Sequence, residues 1–142
     1  MLPEPSQFEP IPVDWVSARP ILEPANAVVS VRAYSATPWC VVEVAGEFDL
    51  VSLPKLRGIG DGAAYLIFDL SRVTFMDAAG LGVIARSLRA AREFGGAVRL
   101  VGPSGQIRKL LTLTGLDREL TMHDSLVDAL ATDAVAEPGT LS

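Results

Sequence analysis

A chain of 142 residues, 49% hydrophobic and 20% charged, is long and apolar enough to bury the core of one domain, which excludes intrinsic disorder. A formal net charge of −5 argues against a nucleic-acid binder, because neutralising phosphates needs a basic face. The single cysteine, Cys40, excludes an internal disulfide, and no apolar run reaches the roughly 18–20 residues of a membrane helix.

The first 24 residues hold six of the ten prolines, so 1–26 reads as an extended arm outside the core, with Val13, Trp15 and Val16 as residues that can dock on the domain. Its start is acidic and lacks a basic region followed by an apolar one, so no signal peptide is expected and the cytoplasm is the expected compartment. "VVSVRAY" (Val28–Tyr34) and "WCVVEVAG" (Trp39–Gly46) are β-branched runs split by a short loop containing Pro38, the pattern of a hairpin. Ser52–Ile59 reads as a short helix capped by Ser52, with Pro54 tolerated in its first turn.

"AYLIFDLS" (Ala64–Ser71) is a nearly continuous apolar run, as expected of a strand buried on both faces. From Ala79 to Phe94 the spacing becomes helical. Leu81, Ile84, Ala85, Leu88 and Ala91 form one stripe, and Gly82, Arg86, Arg89 and Glu93 the opposite face, until Gly95–Gly96 stops the helix. "AVRLVG" is a further strand and "SGQIRKLLTLTGL" a second amphipathic helix capped by Ser104. Leu120–Met122 reads as a short last strand, "DSLVDALA" as a final capped helix, and 132–142 as a loose tail. Leu116–Ser142 carries six acids and one arginine, so the whole acidic excess lies at this end. Strands alternating with helices over short connections predict an α/β domain over 27–131: a mixed, mostly parallel sheet with helices packed against it.

Catalytic readings fare poorly. Gly80-Leu81-Gly82-Val83-Ile84-Ala85 satisfies the dinucleotide fingerprint, but Gly80 lies nine residues past Ser71, and the position about 20 residues on is glycine. His123, the one histidine, sits at a strand-to-helix junction and reads as a solvated loop residue. Asp49 and Asp77 have no nucleophile or metal shell beside them, so neither cofactor nor metal is expected.

What remains is the ordered set "GEFDL" (Gly46–Leu50), "LIFDLSRVTFMDAAGLGVI" and "VGPSGQIRKLLTLTGLDREL". From about Val28 to Leu130 the chain resembles the STAS domain family, and within it the single-domain anti-sigma factor antagonists of bacteria. The resemblance implies a non-catalytic protein that binds an anti-sigma factor of the serine kinase type and so releases a sigma factor. In such antagonists the kinase phosphorylates a serine at the start of the helix after the central strand, in a D-S-S-G or similar motif, and the complex dissociates. Carried onto this chain, Asp77 matches the motif aspartate, Ala78 the residue before the acceptor, Ala79 the acceptor and Gly80 the glycine. Asp49 matches an acid near the same surface.

The resemblance thus implies a docking face built from Asp49, Asp77, Ala78, Gly80, Leu81, Gly82 and Arg86, with Arg89 as a further peripheral charge and the acceptor hydroxyl missing. Thr74 and Ser71 are the nearby hydroxyls that can substitute. The alternative reading is a structural or sensory STAS module in a homo- or hetero-oligomeric assembly; a homodimer also stays open.

Overall fold

The computed structural model describes residues 29–50, 54, 58 and 61–132. The proline-rich arm, the helix expected over Ser52–Ile59 (apart from Pro54 and Gly58) and the tail beyond Thr132 lie outside the described residues. Among the described residues five strands form one sheet in the order β1-β2-β3-β4-β5. They are β1 (Val29–Ala36), β2 (Trp39–Phe48), β3 (Tyr65–Met76), β4 (Ala97–Val101) and β5 (Thr121–His123). The β1–β2 hairpin is antiparallel and runs in register from Val29 opposite Gly46 to Ala36 opposite Trp39. Every other pairing is parallel. Helix α1 (Ala78–Glu93) links β3 to β4, α2 (Gly105–Thr114) and a 3₁₀ turn (Leu116–Arg118) link β4 to β5, and α3 (Leu126–Ala131) follows β5. The mixed, mostly parallel sheet is the one the alternation predicts.

Alternate residues along each strand divide the core between two faces. Val42, Val44, Leu66, Phe68, Leu70, Val98 and Leu100 join Ile84 and Leu88 of α1 and Ile107 and Leu111 of α2. Trp39, Val41, Ile67, Ala97 and Val101 face the other way, where Leu126 and Ala129 of α3 pack. Arg99 is wholly buried on this second side. Its guanidinium donates to the Ala129 and Thr132 carbonyls at the end of α3 and lies 4.2 Å from the centre of the Trp39 ring. A buried cation is tolerable only when so partnered, and the last carbonyls of a helix carry the complementary partial charge.

The helix ends follow the sequence. Ser104 Oγ accepts from Ile107 N at 3.3 Å, and Ser125 Oγ from Asp128 N at 3.1 Å. Gly95 takes φ +77° and closes α1 with its N–H on the Arg92 carbonyl at 2.9 Å, while Gly96 N reaches the Ala91 carbonyl at 2.8 Å. In α1 the buried stripe is broader than expected: Gly80 and Val83 join it, while Ala85 and Gly82 are half-buried.

Several strand ends depart from the sequence reading, and β1 and β2 each run two residues further than expected, to Ala36 and Phe48. The last strand is Thr121–His123, one residue later than expected, and His123 is its final, half-buried residue opposite Val101, not a solvated loop residue. β3 continues to Met76, five residues past Ser71. Its register against β2 slips once between the Glu43 and Ala45 positions and again between Gly46 and Glu47, each time adding a residue on the β3 side. These bulges turn the expected alternation into one buried residue in three, Leu70, Val73 and Met76. A strand whose inward residues recur every third position does not show a period of two.

Gly96 leaves no room for a side chain: a Cβ there would lie 1.6 Å from the Ala64 carbonyl oxygen. Gly96→Ala is expected to destabilise the domain by about 1–3 kcal/mol, as overpacking does, in urea unfolding. Gly105→Ala, with open space around it, serves as the control.

Burial pushes the Cys40 thiol up from an ordinary 9.0 to about 11. Removing water penalises the thiolate, so the folded protein keeps its proton where the unfolded chain has lost it. The resulting stability is complete below pH 9 and falls as pH rises from about 9 to about 11. Iodoacetamide at pH 8 should therefore alkylate Cys40 much more slowly in the native protein than in guanidinium, as followed by mass spectrometry.

Candidate functional site

The end of β3, the first turn of α1 and the residues after β2 meet at one point, and the Asp77 carboxylate joins them. Asp77 takes extended backbone angles (φ −116°, ψ −169°) and is the N-cap of α1. Its Oδ1 accepts from Ala79 N at 2.9 Å and from Gly80 N at 3.2 Å, satisfying two of the amides a helix start leaves unpaired. Its Oδ2 accepts from Leu50 N at 3.1 Å, 27 residues away in the chain. One carboxylate thus starts the helix and ties down the loop that leaves β2.

Beneath this clamp the packing is tight. Gly80 is buried, and a Cβ on it would lie 2.1 Å from the Phe48 carbonyl oxygen and 3.0 Å from Met76. The close approach that Gly80 permits is therefore to the chain's own β2, not to a partner backbone. Leu81 also turns into the core, and Asp49 is only 8% exposed. The surface above them is formed by Ala78, which is exposed, and by Asp77, Ala79 and Gly82, which are half-buried. Arg86 lies on the exposed face one turn along, with its guanidinium 3.4 Å from where a Gly82 Cβ would stand. Arg89 is exposed farther along the same helix.

The structure corrects the spacing argument used against the dinucleotide reading. The strand ends at Met76, so Gly80 follows it by four residues, and both glycines lie inside α1, not in the turn. The reading fails all the same, because the fingerprint needs its first glycine in the tight turn between strand and helix, and here both glycines are helical. Among the described residues no group of three or more His, Cys, Asp or Glu can hold a metal ion.

Both candidate substitute hydroxyls lie on the extension of β3. Ser71 is exposed and its Oγ donates to Asp69 Oδ1 at 2.7 Å, closing a local turn at the first register slip. Thr74 is exposed beside the second slip, three residues before the clamp.

Phe75 and Gln106 escape a reading of the sequence, and Leu50 is visible there only as the end of the "GEFDL" motif. Leu50 and Phe75, 64% and 44% exposed, are large apolar side chains flanking the clamp. An apolar residue next to the "GEFD" acids was the available signal for Leu50. Gln106, in the first turn of α2, donates from Nε2 to the Met76 carbonyl at 2.8 Å and accepts the Met76 N–H on Oε1 at 3.2 Å. No local pattern marks it, since its partner is 30 residues away.

Replacing Asp77 separates the two duties of the carboxylate. Asp77→Ala should lower stability by about 0.5–2 kcal/mol, the usual cost of an N-cap. Asp77→Ser should recover most of that loss, because serine also caps, yet its shorter side chain does not reach Leu50. Amide exchange read by NMR should then show Leu50 deprotected in both variants and Gly80 only in Asp77→Ala.

Comparison with known proteins agrees with this architecture. The STAS domain family matches residues 29–129. The anti-sigma-B factor antagonist of Bacillus subtilis is 34% identical over 79 residues, which cover 53% of this chain and 72% of that protein. A crystal structure of an anti-sigma factor antagonist from Mycobacterium paratuberculosis superposes with a TM-score of 0.64 at 28% identity, covering 77% of this chain and 96% of that one. The phosphorylated form of the Bacillus cell fate determinant SpoIIAA shares the fold, with a TM-score of 0.60 at 23% identity over 71% of this chain and 96% of that one. With its sheet order and its match over residues 29–129, the chain belongs to the STAS domain family.

Proposed function

We propose that this chain is a non-catalytic anti-sigma factor antagonist that binds an anti-sigma factor of the serine kinase type and cannot be switched off at the usual position. The observation that carries the reading is the start of α1: an aspartate-clamped turn with Ala78 exposed and Ala79 half-buried where antagonists of this family carry serine. The docking surface is Ala78, Ala79 and Gly82 with Arg86 at its rim, flanked by Leu50 and Phe75. Asp49, Asp77, Gly80 and Leu81 shape it from beneath.

The physical case for a switch at this point rests on charge. A helix start tolerates an anion through its free amides, but Asp77 already occupies the amides of residues 79 and 80. A phosphate of about −1.5 to −2 charge on residue 79 would stand beside that carboxylate and would have to be desolvated on docking. Alanine keeps the surface neutral at this position, so the antagonist stays competent whatever the activity of its kinase. Release of the partner then depends on another event; of the nearby hydroxyls, Thr74 is the better placed acceptor, since Ser71 donates its proton to Asp69. On this reading the binding unit is 27–131, the arm and tail are accessory, and the protein acts in the cytoplasm without a cofactor. No helix among the described residues is long and apolar enough to cross a membrane.

One feature favours a second reading, a STAS module assembling with copies of itself or with another signalling protein. Val127 and Leu130 are exposed apolar residues on α3, away from the clamp.

The test is to restore the acceptor. Ala79→Ser should bind the host anti-sigma kinase as tightly as the native chain in the absence of ATP. With ATP it should be phosphorylated at residue 79 and released, whereas the native chain gains no phosphate in the first turn of α1. Ala79→Glu should weaken binding roughly tenfold or more in calorimetry, about 1.4 kcal/mol. Equal affinity of a folded Ala79→Glu would place the interface elsewhere.

A further inference from the structure

The extension of β3 raises a problem of unpaired backbone that one side chain solves. β4 accompanies β3 only as far as Asp69, opposite Val101. Beyond that point β3 has β2 on one side and, among the described residues, no strand on the other. In a parallel strand the N–H and C=O of one residue point to the same side, and polar backbone lacking a partner there is costly. At Met76 the Gln106 amide fills both needs, donating to the carbonyl at 2.8 Å and accepting the N–H at 3.2 Å. Only a side chain with one donor and one acceptor in a planar fork can do this, as a neighbouring strand would. Ser104 caps α2 two residues earlier and fixes where that fork stands.

Met76 is the last residue of β3 and Asp77 is the next in the chain. Fixing the Met76 peptide therefore fixes the root of the carboxylate that holds Ala79, Gly80 and Leu50. Gln106 is itself exposed, so its value lies less in burial than in where it holds the strand end.

We propose that Gln106 is a positioning residue for the docking surface. It anchors the Met76 peptide from α2, and through Met76 it sets the Asp77 clamp and the Leu50 loop in the geometry the partner meets. The proposal rests on the reading of this face as the anti-sigma docking site. It makes α2, which contributes nothing else to that surface, a determinant of its shape.

The experiment compares Gln106→Glu, Gln106→Met and the control Lys109→Ala, which alters an exposed side chain of the same helix. An ionised glutamate keeps an acceptor for the Met76 N–H but faces the carbonyl with a second oxygen; methionine offers neither donor nor acceptor of comparable strength. In the free protein, amide exchange is read at Leu50, Ala79 and Gly80, none of which Gln106 touches. The probe for binding is the purified host anti-sigma factor of the serine kinase type, titrated at a temperature where every variant is folded, with Ala79→Glu run alongside. Both Gln106 variants should exchange these amides about tenfold faster and bind roughly three- to tenfold more weakly, with Lys109→Ala unchanged in both readouts.

Weaker binding with unchanged exchange would make Gln106 a direct contact and overturn the positioning role. Unchanged binding by both Gln106 variants, while Ala79→Glu binds poorly, would overturn it and leave the docking reading intact. Unchanged binding by Ala79→Glu as well would remove the docking reading, and this proposal with it.

Discussion

The carboxylate of Asp77 is the constraint around which this end of the domain is organised. Three backbone amides converge on its two oxygens, two from the helix it starts and one from a loop far off in sequence. A neutral side chain can cap a helix, and a longer one can reach a loop, but only a short carboxylate does both from one backbone position. The close packing of Gly80 on the Phe48 carbonyl serves the same geometry, because it lets the first turn of α1 settle onto the end of β2. The surface that results is small and is held by three hydrogen bonds to one side chain.

Much of this architecture is legible in the sequence. The apolar stripe of α1, the caps Ser104 and Ser125 and the Gly95–Gly96 stop announce their helices because each acts within one or two turns of its own position. The apolar run before Ser71 announces a strand covered on both faces. The quoted motifs also led to the right family. The extension of β3 is hidden because its two bulges abolish the period of two, so Arg72, Thr74 and Phe75 look like loop. The turn that follows was read correctly as a helix start, but its depth was not. Gly80 looks like a place for a partner until the Phe48 carbonyl is seen to fill it. Gln106 is invisible for the same kind of reason, since its meaning lies in a strand end 30 residues away.

The two faces of the sheet divide the work. The side carrying α1 and α2 supports the clamp: the strand end, the helix start and the anchoring amide all belong to elements that bury their apolar residues in one cluster. The other side holds the sheet to α3 through Arg99 and Trp39 and contributes no residue to the clamp. The exposed apolar residues of α3 can therefore take part in other contacts without disturbing the first turn of α1.

The buried guanidinium of Arg99 also reaches past the end of the family match. The family match stops at residue 129, yet Arg99 reaches the carbonyl of Thr132 at 3.1 Å as well as that of Ala129. A chain cut at the family boundary would lose that outer acceptor together with the last turn of α3 that supplies it. Through this one side chain the sheet is tied to backbone three residues beyond the limit that family similarity draws.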